Sequence, residues 1–345
     1  MRRRVARQSR QRGVAVITAL LLTTLAVTLV SSLFWQQQVQ VRSIENQRLQ
    51  LQKEWIVRGA LDWAGAILRI DASGSNTVDY LGQPWSVPLA DTRLDGYVDD
   101  DPVNGGSGAG EVVLSGNIVD AQSRYNLTNL STDGVVNPVE VATFQRLLTN
   151  LHLPPDLAVT VATSVAAAQP TKPQTNQPTA TSATSTNATT TNATSATSAT
   201  SATGGTSGTL PLLHVEDLLA LPGISPEMVR SLKDFVVVLP VPTPVNLNTA
   251  SAEVLAACFD SMSQSDAASL IASRAVAYFR DAVDFSTRLP GSKAISATSN
   301  AEPVAFSTSF FLVNGKVRMG RATSNTMSLI KRETNHSKVL WTREL

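Results

Sequence analysis

Between Gly13 and Val41 the chain carries no charged residue, and the stretch from Val14 to Trp35, VAVITALLLTTLAVTLVSSLFW, is apolar apart from scattered Thr and Ser. As a helix that stretch is about 33 Å long, enough to cross the hydrocarbon core of a bilayer. Arg2, Arg3, Arg4, Arg7, Arg10 and Arg12 precede it with no acid among them. The positive-inside bias holds such a leader in the cytoplasm and sends the rest of the chain to the other side. A cleaved secretory signal fits less well, because the apolar run is long and lacks a small-x-small cleavage site. The expectation is a single-pass membrane protein whose body lies outside the cytoplasm.

The 345 residues hold 28 Lys and Arg against 27 Asp and Glu. Without the six leader arginines, 22 bases face 27 acids. Such a body offers no basic footprint for nucleic acid. One cysteine, Cys258, excludes an intramolecular disulfide and a clustered-thiolate metal site. His152, His214 and His336 are far apart in sequence and form no HExxH-like metal motif. Neither G-x-S-x-G nor a phosphate loop occurs, so no catalytic residue and no enzymatic activity is expected. His214, at the start of an amphipathic segment, reads as a surface or capping residue, and Cys258 as a small buried hydrophobe.

Beyond the membrane the helix is expected to continue. Val57, Leu61, Ala64 and Leu68 form an apolar stripe at helical spacing, Glu54 and Arg58 face each other at i, i+4, and Gly74 ends the run. Trp55 and Trp63 are expected in the core of that packing. Gly110 to Ser115 reads as a strand after a glycine-rich loop from Gly96 to Gly110. The acidic Asp99–Asp101 in that loop fails the EF-hand spacing and reads as a solvated turn. Val139 to Leu153 has helical spacing and is stopped by Pro154–Pro155. Gln169 to Thr209 is Ser, Thr, Ala and Asn with Lys172 as its only charge, a composition expected to be disordered. Helices are expected after Leu213, after Thr249 or Ser251 as N-cap, and from Asp266 to Ala277. Strands are expected from Ala305 to Val313 and from Lys316 to Ala322, joined by a hairpin turn at Asn314–Gly315, with Met327–Arg332 and Lys338–Arg343 completing the pairing.

Leu218-Leu-Ala-Leu-Pro-Gly-Ile224 is similar to a helix-hairpin-helix, whose turn amides grip a DNA phosphate. With Asn246-Leu-Asn248-Thr-Ala it suggests, as an alternative reading, a membrane-anchored DNA-binding protein of the competence type. Ser225 replaces the second hairpin glycine, and Arg230 and Lys233 are outnumbered by Glu216, Asp217, Glu227 and Asp234. Counterion release from DNA needs more cations than that.

The junction Gly13/Val14, a basic leader ending in glycine against an apolar helix, resembles the type IV prepilin signal. Pilins usually carry Glu at the fifth mature residue, and here that residue is Thr18. A carboxylate in lipid is costly without a cation, whereas a Thr hydroxyl can bond to its own helix. Together with Asp120…Tyr-Asn126-Leu-Thr-Asn129-Leu, Leu218 to Ile224, Pro244-Val-Asn-Leu-Asn-Thr-Ala250 and Ser307-Thr-Ser-Phe-Phe311, these features resemble the K-type minor pseudopilins of type II secretion. The resemblance implies an α+β fold, with a long helix packed on an antiparallel sheet and a large α-helical domain inserted between strands. It implies cleavage between Gly13 and Val14, N-methylation of Val14, and an assembly role for Thr18. The implied domains are a leader (1–13), a transmembrane helix (14–35), a pilin-like body (36–130 and 291–345) and an inserted helical domain (131–290). The implied function is non-enzymatic, a cap on the pseudopilus tip that helps start its assembly for export across the outer membrane. The implied partners are the I- and J-type minor pseudopilins, the major pseudopilin, the prepilin peptidase and the inner-membrane secretion machinery. No cofactor is assigned. The family's calcium ligands are acidic, and no acid lies between Asp156 and Glu216.

Overall fold

The computed structural model describes residues 12–74, 78–94, 112–169, 210–289, 304–319, 322–333 and 336–345. Most of the arginine-rich leader, the Gly96–Gly110 loop and nearly all of the Ser/Thr/Ala tract lie outside the described residues.

Helix α1 runs from Arg12 to Ser73 without a proline, about 93 Å at 1.5 Å per residue. From Val14 to Ile44 no described part of the chain covers it. From Leu49 onward it lies on a sheet. Leu49, Ile56 and Val57 meet Val112, Val317 and Met319, and Leu61, Ala64, Ile67 and Leu68 meet Trp85, Phe311, Val313 and Ile330. The stripe expected from the sequence is the packed one.

The chain then forms β1 (Leu89–Arg93) and β2 (Val112–Asp120), and after a long helical part β9 (Phe310–Met319), β10 (Ala322–Arg332) and β11 (Ser337–Glu344). These five make one antiparallel sheet in the order β1-β2-β9-β10-β11. In β9, Phe311, Val313, Val317 and Met319 face α1, as period-two alternation requires. Phe310 and Leu312 face the other way, onto Ala121, Val237, Leu239 and Leu329. Covering on both faces is why this strand begins as the unbroken apolar run Phe-Phe-Leu-Val. Farther along, one face is open and Lys316 and Arg318 alternate with Val317 and Met319.

Two expectations are corrected here. Asn314–Gly315 is no turn. It lies inside β9, paired with Gly116–Asn117 of β2 and Thr326–Met327 of β10, and the reversal falls after Met319. The glycines serve close approach instead of a turn, since a Cβ on Gly116 would collide with the Asn314 carbonyl oxygen. Trp55 and Trp63 are not core residues either. They are 68% and 51% exposed, and Trp63 borders a groove with Trp85, Leu89 and Leu114 without entering the core.

The helical part leaves the sheet at Asp120 and returns at Phe310, and Asp120 pairs directly with Phe311. An insertion has thus replaced the loop of one hairpin. It contains α2 (Pro138–Asn150), α3 (Leu157–Ala168), α4 (Pro226–Leu232), α5 (Ala252–Cys258), α6 (Gln264–Val276) and α7 (Ala282–Thr287). Three two-residue pairings join its loops: β3 (Tyr125–Asn126) with β6 (Val236–Val237), β4 (Ser131–Thr132) with β5 (Val135–Val136), and β7 (Val245–Asn246) with β8 (Val304–Ala305). Asn137, Ser225, Ser251 and Ser263 cap α2, α4, α5 and α6 through their side chains. Tyr125, Leu127, Phe144, Leu147, Leu148, Val161 and Leu218 form the main core. Helix α3 has only Thr and Ser as polar residues, so its period is weak in the sequence although Ala158, Val161 and Ala162 are fully packed.

Candidate assembly site

Three parts of the chain anchor and present the body. The first is the uncovered part of α1. The Thr18 hydroxyl lies 3.0 Å from both the Val14 and Ala15 carbonyls. Thr23, Thr24 and Thr28 make the same local bond to Leu20, Leu21 and Leu25 at 2.8–2.9 Å. Every threonine hydroxyl of the apolar stretch is therefore satisfied within its own helix, the condition for crossing lipid. Gly13 and Val14 both lie in the first turns of α1, and Val14 is exposed.

The second surface is the open side of α1 above the span. Leu51, Trp55, Trp63 and Ile70 are exposed there. Gly59 sits between the two tryptophans at i+4 and i−4, and a Cβ on it would meet nothing within 4 Å. Mid-helix glycine costs about 1 kcal/mol relative to alanine, and nothing described inside the chain requires it. A notch between two aromatic ridges is the shape that helix-on-helix packing uses. The sequence showed these residues but not their direction, because Trp at helical spacing reads first as core.

The third element is the neck where α1, sheet and insertion meet. Its parts are the motifs singled out in the sequence. Asp120, fully buried, accepts from the Gln122 amide at 2.7 Å, Asn246 Nδ2 at 2.9 Å and the Thr249 hydroxyl at 2.6 Å. Burial pushes its carboxyl above the ordinary value, against those hydrogen bonds. Asn246 Nδ2 also reaches the Asp79 carbonyl at 3.1 Å. Asp79 accepts from the Thr308 amide at 2.7 Å and from Arg332 at 2.5 Å. Arg332 also holds Asp71 at 3.1 Å and the Thr308 carbonyl at 2.8 Å. Burial and the charge of Asp79 raise the Asp71 carboxyl despite Arg332. Gln122 spans the two connections, donating to the Pro244 carbonyl at 3.0 Å and accepting from the Ser309 amide at 2.6 Å. Thr249 therefore serves Asp120, and Ser251 is the helix cap.

The remaining asparagines pin loops in the same way. Asn126 accepts from the Leu239 amide and donates to the Val241 carbonyl, at 3.1 and 2.9 Å. Asn129 closes a two-way pair with the Thr243 backbone at 2.8 and 2.9 Å. Asn248 does so with Phe279, also at 2.8 and 2.9 Å. A side-chain amide offers one donor and one acceptor in fixed geometry, which suits it to replace a missing strand partner. These residues are structural.

Among the described residues no group of three or more His, Cys, Asp and Glu could hold a metal ion. The neck carboxylates face N–H and O–H donors, the wrong surroundings for calcium. The DNA-binding alternative gains nothing. The element before Gly223 is a short 3-10 turn, Val215–Ala220, in place of a helix. Lys233 and Arg343 both close on Glu216, at 3.3 and 3.0 Å. Burial tends to raise the Glu216 carboxyl, but these partners bring it down to about 2. His214 caps that turn and sets its ring edge-on to Trp341. Cys258 is buried, which pushes its thiol up to about 12.

Comparison with known proteins bears on the whole chain. Two family models described as type II secretion system protein K match residues 123–241 and 245–309, together more than half of the sequence. The type II secretion system protein K of Pseudomonas aeruginosa is 29% identical over 332 residues, covering 93% of this chain and 89% of that protein. The protein of the same name from Pectobacterium carotovorum subsp. carotovorum is 30% identical over 165 residues, covering 46% of this chain and 45% of its own length. A chain in the crystal structure of the GspK–GspI–GspJ complex of the enterotoxigenic Escherichia coli type 2 secretion system has a similar fold. The TM-score is 0.55 at 15% identity, over 88% of this chain and 99% of that one. The chain belongs to the type II secretion system protein K family.

Proposed function

We propose that the protein is a non-enzymatic minor pseudopilin that caps the pseudopilus tip and helps start its assembly. In this reading it is anchored in the inner membrane with its N-terminus cytoplasmic and its body periplasmic. The prepilin peptidase cuts between Gly13 and Val14, and Val14 is N-methylated. The cap then offers its Val14 ammonium to the Glu of the subunit below and has no subunit above. The observation that carries the reading is Thr18, whose hydroxyl closes on its own helix where a carboxylate would need a neighbour's cation.

The proposed partners are the I- and J-type minor pseudopilins, and beneath them the major pseudopilin and the inner-membrane secretion machinery. The exposed Trp55–Gly59–Trp63 face of α1 supports a helix-bearing partner. The test is co-purification with candidate I- and J-type proteins from detergent-solubilised membranes, with mass spectrometry of the mature N-terminus. A start at Val14 with one added methyl group and recovery of both partners is expected. An intact Met1, or a start near Ser31, sinks the processing scheme.

Two variants sharpen it. A Gly13→Leu chain that stays uncut should lose most of its co-purifying partners, because the amine remains hidden behind the leader. If it assembles and secretes normally, the tip-cap reading is wrong. The double variant Trp55→Ser, Trp63→Ser alters exposed side chains only, so stability should stay within about 0.5 kcal/mol. Partner binding should weaken about 30-fold or more, the loss of a tryptophan hot spot. Unchanged binding would remove this face from the interface.

A further inference from the structure

Asp120 is the one neck carboxylate without a guanidinium. Its partners are neutral: the Gln122 backbone amide, the Asn246 side-chain amide and the hydroxyls of Thr249 and Thr308. The charges that face it through Asn246 come from three elements. They are Asp79 in the segment after α1, Asp71 in the last turn of α1, and Arg332 at the end of β10. With no cation among its partners, burial opposes the anion while the hydrogen-bond donors favour it. The site can also hold the neutral acid. The Thr249 hydroxyl lies 2.6 Å from Asp120 Oδ2 and 3.3 Å from the Asn246 carbonyl.

We propose that the neck is a proton-operated joint, in which Asp120 takes up one proton without movement of any heavy atom and thereby tightens the insertion's hold on the sheet. The proton comes from water and binds Oδ2. That oxygen then donates to Thr249 Oγ1, and the Thr249 hydrogen swings from Asp120 to the Asn246 carbonyl. Asn246 Nδ2 keeps the Asp79 carbonyl and the second lone pair of Oδ2, and Oδ1 keeps the Gln122 amide. Every donor stays satisfied while a buried charge disappears. The burial that raises this carboxyl above its ordinary 3.8 acts in the same direction. By linkage, the stabilisation is full below 3.8 and fades as the pH rises through the folded-state value.

The test is hydrogen exchange of the full chain in detergent micelles, read by mass spectrometry on peptides covering residues 121–126 and 244–250. After correction for the intrinsic rate, protection there should rise as the pH is lowered from 8 towards 3.8. Peptides of α2 should not change, and Asp120→Asn should abolish the pH dependence. Equal corrected protection at both ends of the range in the unaltered chain overturns the proposal, as does an Asp120→Asn chain with the original dependence. If Asp120→Asn does not fold, Thr249→Val decides. It removes the acceptor of the Oδ2 proton, so the gain in protection at low pH should shrink, with Thr249→Ser restoring it. An undiminished gain in Thr249→Val also overturns the joint.

Discussion

Replacing Arg332 by alanine is expected to cost about 3–5 kcal/mol of folding free energy, the range for stripping one partner from a buried ionic cluster. Its side chain is only 11% exposed and those of Asp71 and Asp79 are 9% and 4% exposed, so water cannot replace the guanidinium. The loss reaches further than one ion pair. The same group holds the Thr308 carbonyl and stacks over Phe311 at 4.9 Å, so the end of α1, the start of β9 and the segment before the insertion lose a common tie. Arg332→Lys keeps the charge but cannot reach three acceptors at fixed angles, and should recover less than half of the loss. Denaturant unfolding of the solubilised chain measures both. A cost below about 1 kcal/mol for Arg332→Ala, the size of an exposed pair, would show that the cluster is solvated.

The second large effect is expected at Gly116→Val. The added carbons strike a backbone carbonyl on the neighbouring strand, so no rotamer change relieves the clash and β2 must separate from β9. About 3 kcal/mol is expected, at the upper end of ordinary overpacking. The fall in melting temperature should come with faster amide exchange in β2 and β9. A change of under about 0.5 kcal/mol, the surface norm, would mean that the pair is looser than its register implies.

How much of this was legible beforehand depends on the range of each signal. The stripe Val57–Leu61–Ala64–Leu68 was readable because helical period is local. So was the cap Ser251, named together with Thr249, since it acts within one turn. Asn314–Gly315 misled because the dipeptide that favours a tight turn also suits a narrow crossing, and only the facing Gly116 distinguishes them. Trp55 and Trp63 misled because burial of one helix face depends on what lies across it, and the rest of the described chain reaches only the edge of theirs. The asparagine motifs were visible as motifs. Their purpose was not, because they pair with backbone between 31 and 167 residues away, far beyond any local pattern.

The adjacency of Asp120 and Phe311 also bears on the order of folding events. Closing a chain of about 190 residues to form that pair costs about 3 kcal/mol more than closing a four-residue turn, if the intervening chain is unstructured. The insertion has its own cores and its own short-range caps, so it can fold while the flanking strands are still apart. Once folded, it presents its two ends side by side, and the pairing becomes as local as that of a small hairpin. Disturbing the insertion's core should therefore slow formation of the central strand pair, although none of the altered residues belongs to the sheet.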